Sequence, residues 1–155
     1  GVTANFQALW ATLEDTYMTD LNFPYLGKKR SEWQYPIGTM AKSGAQLAFG
    51  SDWPVSTMNP FMAAQVAITR RGPDATPRKA WTPQHLTDIQ TVLRGYTYGG
   101  ARLTFREASI GTLEVGKLAD LIVLDRDPYR ISKFQVFDTK VLMTFFKGRL
   151  VWEQP

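Results

Sequence analysis

The stretch Gly44 to Val55, GAQLAFGSDWPV, constrains this chain more than any other, because it sets a single acid at the end of a short apolar run. Gln46 to Phe49 is apolar and β-compatible, and Gly50-Ser51 interrupts it. Trp53-Pro54 is expected to keep Asp52 out of helical geometry, in an extended turn. In α/β proteins catalytic side chains collect at the carboxyl ends of strands. Asp52 is therefore the leading candidate for a functional residue. The competing reading is that it only stabilises its own turn, as aspartates before loops often do.

With 155 residues, 44% hydrophobic and 13% aromatic, the chain can bury the core of one ordinary domain. No apolar run approaches the roughly 18 residues a membrane span needs, and no basic-then-apolar signal pattern opens the sequence, so no membrane partner is expected. The chain starts at Gly1 rather than methionine, which reads as a cropped or processed beginning that an upstream signal could have preceded. The absence of cysteine removes disulfides, thiolate nucleophiles and cysteine metal sites. It favours the cytoplasm without excluding the periplasm. The net charge of +4 is scattered, with Lys28-Lys29-Arg30 the longest basic run and Arg70-Arg71 a short pair, so no nucleic-acid partner is expected.

Along the chain, Val2 to Leu9 reads as a strand and Glu14 to Trp33 as a long loop of turn-forming residues, of the kind used for lids and binding loops. Pro36 suits the first turn of a short helix with Ile37, Met40 and Ala41 on one face and Gly44 as its stop. Asn59 is a candidate N-cap and Pro60 a first helical residue, opening a helix to about Thr69 with Phe61, Ala64 and Ile68 on one stripe. Arg71 to Asp74 ends it, and a proline-punctuated loop leads to Trp81. Thr87 and Gln90 form a capping-box pair ahead of Ile89, Val92, Leu93 and Tyr96, spaced for a helix whose end Gly99-Gly100 should weaken. From Ile110 the pattern turns β-like, in Leu113 to Val115, Leu118 to Leu124, Val141 to Phe146 and Leu150 to Trp152, with a hairpin signal at Lys147-Gly148. A boundary near Phe105 would separate an α/β region, 1–105, from a small β region, 106–155.

Three motifs occur in order: LAFGSDWPV (Leu47 to Val55), TVLRGYT (Thr91 to Thr97) and IGTLEVGKLADLIVLDRDP (Ile110 to Pro128). Together they resemble the carboxyl-terminal part of a metal-dependent amidohydrolase, more narrowly amidohydrolase family 3, which includes N-substituted formamide deformylases and exoenzyme regulatory proteins. LGKKRSEWQYP (Leu26 to Pro36) and VLMTFFKGRLVWE (Val141 to Glu153) are similar to that family too. The resemblance implies an α/β fold: the last two strands and helices of a (β/α)8 barrel, with Val2 to Leu9 as strand seven and Gln46 to Phe49 as strand eight, plus part of a β-sandwich. A whole barrel takes about 250 residues, so six strands would lie elsewhere. Gly99-Gly100 departs from the Asn-Ala usual in the family.

By the same resemblance Asp52 is the acid that accepts a proton from a metal-activated water, passes it to the leaving nitrogen and can contact the ion. The ion, zinc by preference, would be held by a His-x-His pair, a mid-barrel Glu or carboxylated Lys, and two further histidines. This chain has one histidine, His85, which matches none of them and is expected to be exposed or capping. No cofactor is expected on this chain alone, and no turnover. The whole enzyme would hydrolyse a small amide-type substrate at a non-peptide carbon-nitrogen bond, with Trp53 a candidate for the pocket wall.

Asp120, Asp125 and Asp127 read as structural turn residues, and Ser51 lacks a serine-hydrolase context. The alternative function is a non-catalytic regulatory or interaction domain, in which exposed barrel edges favour self-association. An isomerase or decarboxylase on the same scaffold is the third possibility.

Overall fold

A computed structural model describes residues 1–13, 20–75 and 78–155. The architecture is mixed α/β. Strand β1 (Ala4–Phe6) runs parallel to β2 (Leu47–Phe49), pairing Ala4 with Leu47 and Phe6 with Phe49. Both carboxyl ends therefore lie at one edge, where the Gly50 amide donates to the Phe6 carbonyl over 3.0 Å. The strand expected over Val2 to Leu9 is shorter, because the chain turns at Gln7 into a single 3-10 turn, Ala8–Trp10, that packs against a later helix.

Parallel pairing requires a crossover, and this one carries two helices, α1 (Phe23–Ser31) and α2 (Ile37–Lys42). Helix α1 lies where a loop is expected. The part of that expectation falling on residues 14–19 is outside the described residues. Helix α2 agrees with its sequence signals: Pro36 precedes it and Gly44, at φ +81°, follows it.

Helix α3 (Pro60–Thr69) has the boundaries its sequence implies. The Asn59 side chain accepts from the Phe61 amide over 3.0 Å, and Pro60 fills the first turn, where a missing N–H costs nothing. Its burial is broader than one stripe, since Phe61 and everything from Ala63 to Thr69 is buried. It ends on left-handed Arg70, one residue before the expected stop. In the loop that follows, residues 76–77 are outside the described set.

Helix α4 (Ile89–Arg94) starts one residue later than the Thr87 cap would place it, because Asp88 is the capping residue. It does not weaken at Gly99-Gly100: a π-helical turn, Gly95–Gly99, leads directly into α5 (Gly100–Leu103). Gly95 and Gly99 are buried against β2, where a side chain would strike the Phe49 ring or the Leu47 carbonyl. Tyr96 stacks on Phe49 with centroids 5.3 Å apart.

Beyond Phe105, β3 (Leu121–Leu124), β4 (Val141–Phe146) and β5 (Arg149–Glu153) form an antiparallel sheet in that order. Lys147 and Gly148, at φ +50° and +76°, make the expected tight hairpin. Leu113 to Val115 is not a strand. Asp120 and Asp125 accept the amides of Lys147 and Lys140, and Asp127 that of Tyr129, so these acids hold turns as expected. The core gathers β2, α3, Ile37, Val92 and Val136. No described helix is long and apolar enough to cross a membrane.

Candidate functional site

The buried strand β2 delivers the chain to a closed turn at the edge where both parallel strands end. Ser51 Oγ accepts from the Trp53 amide over 3.2 Å, and Ser56 Oγ donates to the Ser51 carbonyl. The Asp52 carbonyl accepts from the Val55 and Ser56 amides at 2.8 and 3.3 Å. Asp52 itself has φ +60° rather than the extended geometry expected, with a cis bond following between Trp53 and Pro54.

The Asp52 side chain is exposed and, among the described residues, no hydrogen bond or ion pair engages its carboxylate. The serines close the turn, and the acid is left facing outward. Trp53, Val55 and Met58, which follow it in the chain, are exposed at 63%, 69% and 67% of their surface. A carboxylate free of other hydrogen bonds can accept a proton from water and return it to a basic atom.

His85 is placed differently from its expectation. It is 2% exposed, with Nδ1 2.8 Å from Thr39 Oγ1 and Nε2 3.0 Å from the Glu32 carbonyl oxygen. A carbonyl can only accept, so Nε2 carries the proton and Nδ1 accepts from Thr39. Burial, and then the Arg70 charge, lower its pKa. The ring is a core histidine with both nitrogens engaged, tilted by 50° against Trp33 with centroids 5.3 Å apart.

Arg70 is the residue whose importance the sequence conceals. Fully buried, it donates from Nη1 to the Tyr35 carbonyl (2.7 Å), from Nη2 to the Gln34 carbonyl (3.1 Å) and Thr82 Oγ1 (2.6 Å), and from Nε to the Trp81 carbonyl (3.2 Å). Burial lowers its pKa to about 10, so it remains a cation at neutral pH. A signal was available in its position, immediately after ten residues of almost wholly apolar or small helix.

Two of the concavities among the described residues lie elsewhere. One of about 520 Å³ is lined by Arg94, Tyr98, Glu107, Glu114 and Lys117, and one of about 260 Å³ by Ile68, Ile89, Tyr129 and Val136. Neither includes Asp52 or Trp53.

Residues 1–152 match the amidohydrolase family, and the chain belongs to it. It is 30% identical over 120 residues to the N-substituted formamide deformylase of Arthrobacter pascens, covering 77% of this chain and 22% of that protein. A metal-dependent hydrolase from Pyrococcus horikoshii, of uncharacterised activity, superposes with a TM-score of 0.65 and 28% identity, over 84% of this chain and 25% of that one. An adenosine deaminase from Xanthomonas campestris, solved with bound zinc, gives 0.56 and 25%, over 74% of this chain and 27% of that one. The chain thus spans about a fifth to a third of the length of the curated relatives it matches, 26%, 22% and 21% of the first three.

A catalytic zinc needs about three protein ligands around an open position. Among the described residues no group of three or more His, Cys, Asp or Glu side chains could hold an ion. With His85 engaged elsewhere, these residues do not by themselves fit a metal centre.

Proposed function

We propose that this chain is the carboxyl-terminal region of a metal-dependent amidohydrolase that hydrolyses carbon-nitrogen bonds other than peptide bonds, with Asp52 as its proton-transfer acid and base. The observation that carries the reading is the outward, unengaged carboxylate of Asp52 at the shared carboxyl end of two parallel strands. The carboxylate takes a proton as the water oxygen bonds to the substrate carbon. It then gives that proton to the nitrogen as the carbon-nitrogen bond breaks. Trp53 is placed to flank the substrate.

In this reading β1 and β2 are the last two strands of a (β/α)8 barrel, residues 106–155 belong to a β-sandwich, and the chain alone is inactive. A divalent ion, zinc by preference, belongs to the whole protein, with its ligands supplied by polypeptide outside these residues. The metal-dependent and zinc-bound neighbours support this. The substrate is a small amide-type molecule.

The test compares this chain with a longer polypeptide carrying the preceding strands, using zinc sulfate and a panel of N-formyl amines. The chain alone should neither retain zinc stoichiometrically nor hydrolyse the panel. The longer protein should do both, and Asp52→Asn should lower its rate roughly 10²–10⁴-fold with unchanged thermal stability. An Asp52→Asn protein of undiminished rate would end the proposal.

A second reading, an interaction domain, is favoured by the exposed apolar side chains beyond the helices: Phe105 is 92% exposed and Leu113 84%. It predicts self-association in light scattering of the purified chain, and a monodisperse monomer at high concentration would count against it.

A further inference from the structure

Helix α1 occupies the crossover between the two parallel strands, and the chain leaves β1 at the edge where Asp52 sits. The crossover is still at that edge at Tyr35, whose ring lies 6.4 Å from that of Phe6. Yet α1 contributes little to the core. Of its residues only Ser31 is buried, while Tyr25 is 77% exposed and Leu26 44%. Its backbone is broken in the middle, at Gly27, with φ +70° and ψ +157°, a combination essentially reserved for glycine.

Among the described residues, attachments at both ends of this element converge on one place. At its carboxyl end the Glu32 carbonyl accepts from His85 Nε2, and the Gln34 and Tyr35 carbonyls accept from the two terminal nitrogens of Arg70. At its amino end Asn22 Nδ2 donates to Gln34 Oε1 over 2.9 Å, so that end is also tied to a residue Arg70 holds. Tyr35, Arg70 and Thr82 all have positive φ, between +48° and +53°, and all meet at the one guanidinium. Left-handed backbone at non-glycine residues persists only where surrounding bonds enforce it.

We propose that α1 is a movable strap over the edge that bears Asp52, that Arg70 fixes its position through the Gln34 and Tyr35 carbonyls, and that Gly27 is the point at which it bends. Arg70 is a positioning residue in this arrangement. Its planar guanidinium serves three carbonyls and a hydroxyl at once, which a lysine cannot reproduce. The strap acts on the reaction assigned to Asp52 above, so its catalytic consequence rests on that reading, but its movement does not.

The absence of cysteine allows a direct test. Tyr25→Cys and Met58→Cys, spin-labelled together, report the separation between strap and Asp52 turn by pulsed dipolar spectroscopy. Arg70→Lys should at least double the width of the distance distribution, and Thr82→Val should broaden it less. Gly27→Ala, which disfavours the observed backbone, should shift its centre. Amide exchange would rise at least tenfold at Trp33 and Gln34 in Arg70→Lys, with β4 and β5 unchanged as proof of folding. An unaltered distribution in Arg70→Lys, or an increase in exchange spread evenly over all elements, would overturn the proposal. Loss of activity in Asp52→Asn with an intact distribution would leave it standing, so the two readings fail separately.

Discussion

A Cβ added to Gly99 would lie 2.0 Å from the carbonyl oxygen of Leu47, so helix and strand meet here backbone to backbone. Neither side can yield as a side chain would. Gly99→Ala must separate the π-helical turn from β2, and overpacking of this kind costs about 1–3 kcal/mol. Gly100, one residue on, has ordinary helical geometry, and an added Cβ would meet only the Gly95 carbonyl oxygen of the preceding turn, 4.0 Å away. Gly100→Ala should stabilise by about 0.4–1 kcal/mol, by restricting the unfolded chain. Urea unfolding of the two variants should show opposite signs.

The cap of α4 offers a second contrast. Asp88 Oδ1 accepts from the Thr91 amide at 2.8 Å and Oδ2 from the Thr91 hydroxyl at 3.0 Å, while the Thr87 hydroxyl has no such bond among the described residues. Asp88→Ala should cost about 1 kcal/mol and Thr87→Ala almost nothing. Equal losses in chemical denaturation would restore the capping box over Thr87 and Gln90.

His85 makes the fold sensitive to acid. Burial lowers its native pKa, the charges of Arg70 and Lys42 lower it further, and the hydrogen bond to the Glu32 carbonyl partly opposes them. The unfolded chain therefore binds a proton at a higher pH than the native one, and stability falls as pH drops below about 6.5 until the lowered native value is passed. His85→Gln can keep a donor toward Glu32 but has no such titration. The difference in stability between wild type and His85→Gln should change across this window and level off below it. A difference independent of pH would contradict the neutral buried ring.

These effects divide according to the range of the interactions behind them. Asn59-Pro60 announces α3 because a cap and a first-turn proline act within three residues of each other, and Lys147-Gly148 announces its hairpin for the same reason. The strand ending before Asp52 was equally legible. Helix α1 was not, because a helix with one buried residue and a glycine break has no apolar stripe for a periodicity to reveal. His85 and Arg70 were hidden for another reason: their partners, Thr39 and Tyr35, lie 46 and 35 residues away. No local spacing encodes such contacts. Gly99-Gly100 looked like a helix breaker because its purpose, close approach to Leu47, is visible only once the strand is in place.

Tyr96 supplies the last prediction. Its ring stacks on Phe49, but its buried hydroxyl has no hydrogen-bond partner among the described residues. A buried hydroxyl without a partner forfeits its bonds to water, a penalty of about 1–3 kcal/mol. Tyr96→Phe keeps the stacking and removes that penalty, so the variant should be as stable as the wild type or more so. Burial also pushes the native phenol up to about 12, against an ordinary value of 10.0. The unfolded state therefore ionises first, and wild-type stability falls as pH rises from about 10 toward 12. That alkaline loss should be smaller in Tyr96→Phe. Thermal melts at pH 7 and pH 10.5 check both statements, and a variant destabilised by more than about 1 kcal/mol at pH 7 would mean that the hydroxyl makes a bond the native packing depends on.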